Sequence, residues 1–179
     1  MLIHSAQHIT CMGRNLEINR PSETAAESAI LVLTKEIDHS AGIKEKTRIT
    51  SETIAKSMGL RKFLKFSEGT SIKVGSFELR MAEISEDKKK FNFFINNELY
   101  FLTFIPPLLF PFGENTTLLM PADSDYFAED DFKEAENFLL AGKPCRTVIS
   151  GNYAEKWLTS FKSRKNIEIR NEIAQQTIF

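Results

Sequence analysis

The sequence predicts an α/β layer fold in a single domain, residues 1–179, on three observations. A continuous apolar run, Ala29-Ile30-Leu31-Val32-Leu33, has the character of a strand buried on both faces. Residues 71–102 alternate apolar and polar positions between turn signals, as a meander of strands does. Residues 116–170 then change rhythm to strand, helix, strand, helix, strand.

Residues 8–18 read as short strand pieces broken at Gly13, and residues 21–28 as a polar loop or short helix. The apolar run at 29–33 leads into a polar loop ending at Gly42. Arg48-Ile49-Thr50 is a further short strand. Ser51 stands where an N-cap belongs, Glu52 falls in the first turn, and Gly59 stops the helix that follows. Gly75-Ser76 separates two alternating strands, and Asn96-Asn97-Glu98 joins Phe91-Asn92-Phe93-Phe94-Ile95 to Leu99-Tyr100-Phe101-Leu102 as a hairpin. Further on come a strand at 116–120, and a helix at 129–140 with Phe132, Ala135, Phe138 and Leu139 on one face. A strand at 146–149, a helix at 153–161 and a strand at 167–170 complete the chain.

Composition excludes several classes. A net charge of −1 gives no global basic field to attract nucleic acid. Two cysteines, Cys11 and Cys145, exclude a disulfide scaffold and point to a reducing cytoplasm. The first residues lack the basic-then-apolar order of a secretory signal. The longest apolar stretch, 99–112, holds three prolines and is too short to span a bilayer, so no membrane is expected. Fifteen Phe predict a large core rather than any chemistry.

The order of elements over about residues 8–105 carries a resemblance. AILVL is followed by Thr34-Lys35-Glu36-Ile37-Asp38-His39, then TRITSETIAKSM, FSEGTSIKVGSFELRMAEI and NNELYFLTF. This is similar to the metallo-β-lactamase-like superfamily, particularly its nucleic-acid-processing nuclease branch. The resemblance implies an αβ/βα sandwich, here shortened, with a His-x-His-x-Asp-His loop after the apolar strand. It also implies a Gly-His loop and a strand ending in an Asp ligand.

Aligned on Asp38 and His39, the first two histidine positions of the loop hold Thr34 and Glu36. The Gly-His loop falls near Ala82-Glu83-Ile84-Ser85 and has no histidine. The strand-end Asp falls near Thr103-Phe104-Ile105 and has no carboxylate. The family's zinc chemistry needs imidazoles and carboxylates around each ion, with a position open for water. Three histidines in the whole chain, His4, His8 and His39, cannot supply a dinuclear site. Glu36, Asp38 and His39 remain as vestigial candidates for at most one weakly bound divalent metal. Asp38 and His39 could equally cap backbone groups. No cofactor is expected.

Other constellations are weaker. His4 and His8 would share a face on a helix, whereas a strand would separate them. Asp123-Ser124-Asp125 follows a strand, where carboxylates can hold magnesium, or can form an acidic loop ahead of the 129–140 helix. Basic residues at 44–48, 61–65, 88–90 and 162–165 interleave with Phe63, Phe66, Phe91 and Phe161, a mix that suits nucleic acid or a solvated face. Ser150-Gly151-Asn152-Tyr153 lacks the frame of a nucleophile elbow, and Cys145 has no histidine near it in sequence. Gln175, Ile178 and Phe179 resemble the C-terminal peptide by which bacterial replication and repair proteins dock on the sliding clamp. The expectation is a non-catalytic member acting as a binding or scaffold subunit with a protein partner, in a DNA or RNA context. The alternative is a divergent single-metal hydrolase or nuclease using Glu36, Asp38 and His39, or Asp123 and Asp125.

Overall fold

The computed structural model describes residues 1–22, 29–38, 43, 46–107, 115–142, 144–160 and 166–171. Two mixed sheets dominate them. The first holds β1 (Leu2–Ser5), β2 (His8–Cys11), β3 (Arg14–Ile18), β4 (Ile30–Leu33), β5 (Thr47–Thr50) and β6 (Leu64–Lys65), side by side in sequence order. β1 to β3 form an antiparallel meander, and β3 to β6 pair in parallel. The helix α1 (Glu52–Ser57) makes the crossover from β5 to β6 that a parallel pair requires.

The second sheet repeats this plan. β7 (Ser71–Val74), β8 (Phe77–Ser85), β9 (Lys90–Ile95) and β10 (Leu99–Phe101) form an antiparallel meander. β11 (Thr117–Pro121), β12 (Arg146–Ser150) and β13 (Ile167–Ile169) then continue from β10 in parallel. A 3₁₀ turn (Glu129–Asp131) and α2 (Phe132–Gly142) link β11 to β12, and α3 (Ala154–Ser160) links β12 to β13. The shared plan lies in connectivity, not in residue identity, so the sequence carries no visible repeat.

Local chemistry explains most boundaries. Met12 and Gly13 turn between β2 and β3 with φ of 48° and 74°. Asn96 and Asn97 both take left-handed backbone, φ 52° and 54°, as the tight hairpin between β9 and β10 demands. The Ser51 hydroxyl accepts from the Ile54 N–H at 3.3 Å and caps α1. All four residues of β4 are buried, which agrees with the unbroken apolar run.

One buried cluster joins both sheets with α1, α2 and α3. The phenylalanines supply its spine. Phe66 packs edge-on to Phe91 with ring centroids 5.5 Å apart, Phe93 meets Phe101 at 5.7 Å, and Phe127 reaches Trp157 at 5.6 Å.

The structure departs from expectation in four places. Residues 82–85, expected to be a loop, lie inside β8 and pair with β9 as far as Ser85 opposite Lys90. A bulge between Met81 and Glu83 is the only trace of irregularity there. Residues 64–65, read only as part of a basic cluster, form β6. Residues 2–5 form a strand, β1, and not a helical turn. The 129–140 helix begins as a 3₁₀ turn and runs on to Gly142.

Candidate functional site

Parallel strands present their carboxyl ends together, and in α/β folds that is where ligands bind. Here the ends of two sheets meet. Asn19 follows β3, Thr34 follows β4, Thr103 lies just past β10, and Tyr126 lies in the segment after β11. The Asn19 amide donates to Thr34 Oγ1 at 2.7 Å and to Tyr126 Oη at 2.7 Å. Its carbonyl accepts from the Thr34 N–H at 2.8 Å, which fixes the amide's orientation. Thr103 Oγ1 donates to Thr34 Oγ1 at 2.7 Å. Gln7, between β1 and β2, donates from Nε2 to Tyr126 Oη at 2.8 Å and to the Ile18 carbonyl at 3.2 Å. All five side chains are buried. Asn19 itself sits at φ 56°, a conformation asparagine tolerates better than most residues.

Two flanking side chains lock this arrangement. Asn92 on β9 accepts from the N–H groups of Thr103 (2.6 Å) and Phe104 (3.2 Å) and donates to the Phe104 carbonyl (2.9 Å), so it shapes the turn that delivers Thr103. Asp123 accepts from Arg20 Nη2 at 2.6 Å and from the Asn152 N–H at 2.7 Å, tying the end of β3 to the loops after β11 and β12.

A polar cavity of about 650 Å³ opens over this network, lined by Gln7, Asn19, Arg20, Lys35, Glu36, Asp38, Asp125 and Tyr126 among others. The Lys35 ammonium lies 4.9 Å from the centre of the Tyr126 ring. Burial pushes the Lys35 amine below the ordinary lysine range, against the opposing pull of Asp125 and Asp38. A second recess of about 290 Å³ shares Lys35, Glu36 and Asp125 with the first and adds Asp87, Lys88, Lys89 and Lys90. Burial also pushes Lys90 down, and the charge of Lys35 adds to that shift. Burial raises the Tyr126 phenol well above its usual value, so it stays protonated at neutral pH.

The structure thus brings together two of the positions where the family resemblance looked for ligands. Thr34 and Thr103 touch each other; both are fully buried neutral hydroxyls. Glu36 and Asp38 are exposed at the cavity, with Glu36 4.0 Å from Lys89. His39 lies outside the described residues. Glu83 stands apart, bonded to Asn92 and Tyr100. Neutral hydroxyls bonded to each other and to an amide are a poor donor set for a zinc pair, which takes imidazole, carboxylate or thiolate. No group of three or more His, Cys, Asp or Glu side chains among the described residues is arranged to hold an ion.

The other candidates separate clearly. His4 and His8 sit on paired strands, and the hairpin brings their rings to 4.7 Å instead of parting them. His4 Nε2 is bonded to Thr10 Oγ1 at 2.8 Å. Asp123 is buried and tied to Arg20, whereas Asp125 is exposed. Ser150 accepts from the Ala6 N–H at 2.9 Å, a bond between the two sheets. Within the basic clusters, Lys46 is buried in an ion pair with Glu17, and Phe66 and Phe91 point into the core. Arg48, Arg61, Lys62 and Phe63 line a shallow groove beside β6. Cys11 is half-buried and Cys145 exposed, both as free thiols. Residues 44–45 and 161–165, and Gln175, Ile178 and Phe179, lie outside the described residues. Among the described residues no helix is long and apolar enough to cross a membrane.

No protein-family model matches the chain, and no curated protein matches it either.

Nothing local in the sequence marks Gln7, Asn19, Asn92 and Tyr126 as site residues. Isolated polar residues at strand ends carry no period. The one available signal is position: Thr34 directly follows an apolar strand, and Asn19 directly follows a strand of mixed character.

Proposed function

We propose that this protein is a shortened metallo-β-lactamase-like sandwich with a degenerate metal site, acting as a non-catalytic binding or scaffold subunit. The hydrogen bond between Thr34 and Thr103 carries the reading. Strand ends from two sheets converge as a two-loop metal site would require, yet the side chains at two of its ligand positions are neutral and engaged with each other. The doubled plan of meander followed by parallel strands supports the fold assignment. The free thiols suit a reducing cytoplasm. The context proposed is DNA or RNA processing, with Gln175, Ile178 and Phe179 as the segment that docks a protein partner such as a sliding clamp.

Metal content tests this. Protein purified without chelator from zinc- and manganese-supplemented medium is expected to hold well under one equivalent of any divalent metal. A tightly held equivalent that disappears in Asp38→Ala and His39→Ala would instead establish the single-metal hydrolase.

A further inference from the structure

The polar cavity has a chemistry of its own. Tyr126 Oη accepts two N–H groups, from Gln7 and Asn19, at 2.8 and 2.7 Å. With its oxygen so engaged, the phenolic proton is left to be donated. Tyr126 is 7% exposed and lines the cavity. Above its ring lies the Lys35 ammonium, half-buried and with no carboxylate within salt-bridge distance among the described residues. Lys90, also half-buried, lines the adjoining recess together with Lys35. Two partly desolvated ammonium groups and a committed phenol donor together favour an anionic oxygen between them. Glu36, Asp38 and Asp125 line the same cavity and oppose a bare, multiply charged anion. They suit a ligand whose remaining body donates hydrogen bonds.

We propose that this cavity binds a small molecule with one oxyanion head, phosphoryl or carboxylate, held by Lys35, Lys90 and the Tyr126 hydroxyl, and with a hydroxyl-bearing body that donates to Asp38 and Asp125. The volume of about 650 Å³ is within the range of metabolite sites. The inference goes beyond the scaffold reading and does not rest on it. Metal content decides that reading, and ligand titration decides this one.

The test uses the full chain and three matched probes, glycerol 3-phosphate, glycerate and glycerol, with inorganic phosphate as a fourth, all at equal ionic strength. The first two carry the phosphoryl and carboxylate heads, and the third carries the hydroxyls alone. At least one charged probe is expected to raise the melting temperature saturably, and glycerol is expected to leave it unchanged. Lys35→Met is expected to weaken that probe at least tenfold, and Asp125→Asn to leave affinity for inorganic phosphate unreduced while weakening the hydroxylated probe. Lys90→Met, at a half-buried side chain outside the Tyr126 network, serves as the second variant if Lys35→Met fails to melt cooperatively. No saturable shift with either anion, or the same shift in wild type and both lysine variants, would overturn the proposal.

Discussion

Glu83 shows how one side chain reports its surroundings. It is half-buried on β8, and its carboxylate accepts from Asn92 at 3.4 Å and Tyr100 at 3.2 Å. Burial raises its pKa above the ordinary value of 4.5, and those two bonds only partly offset the shift. A raised carboxylate pKa means the folded state holds its proton more tightly than the unfolded chain. Stability is therefore complete below the ordinary value and falls as pH climbs through the folded one. Glu83→Gln keeps an acceptor oxygen for both partners and removes the charge. Urea titrations are expected to find it more stable than wild type at pH 7, with the gap closing near pH 4. A variant less stable at pH 7 would show that the charged form is the one the fold favours. The sequence identified position 83 only as a place where a histidine was missing. Its partners come from β9 and β10, and register across strands is not written in any local pattern.

Among the elements, the junction of β12 and α3 depends on a single glycine. Gly151 has φ 124°, a backbone that side chains rarely adopt. A β-carbon there would stand 2.6 Å from Asp123 Oδ1 and 2.8 Å from the Ala122 carbonyl. Gly151→Ala is expected to cost about 2 kcal/mol or more, and to loosen the Arg20–Asp123 tie between the sheets. Thermal melts check the first effect, and amide exchange at Asn152 checks the second. A neutral substitution would mean that the Asp123 loop moves aside freely. Elements were legible where periodicity, caps and turns agree. The α1 cap at Ser51, the Asn96-Asn97 hairpin and the buried β4 all follow from local chemistry. The two-residue strand β6 was not, because its place is set by pairing with β5 and not by its own residues. Ala82-Glu83-Ile84-Ser85 is strand and not loop because β9 supplies a partner through Ser85, and the order of elements carries no information on that register.

For the whole molecule, the candidate site exists because two independently built sheets end at the same place. Each carries an antiparallel meander followed by parallel strands, and the carboxyl ends of those strands meet through Asn19, Thr34, Thr103 and Tyr126. The sequence could place Thr34 at the end of a buried strand and could show that histidines were too few for two metals. It could not show that Thr103, 69 residues away, would be its partner.

That pairing is the centre of the account, and a double-mutant cycle measures it directly. Thr34→Val leaves the Thr103 hydroxyl and an Asn19 N–H without their acceptor and is expected to destabilise the fold by about 1–3 kcal/mol, whereas Thr103→Val leaves Thr34 bonded to Asn19 and is expected to cost about 1 kcal/mol. If the two hydroxyls are bonded to each other, the double variant should lose less than the sum of the singles, with a coupling of about 1 kcal/mol. Losses that simply add, to within about 0.3 kcal/mol, would mean that the two hydroxyls are not bonded to each other and would contradict the account.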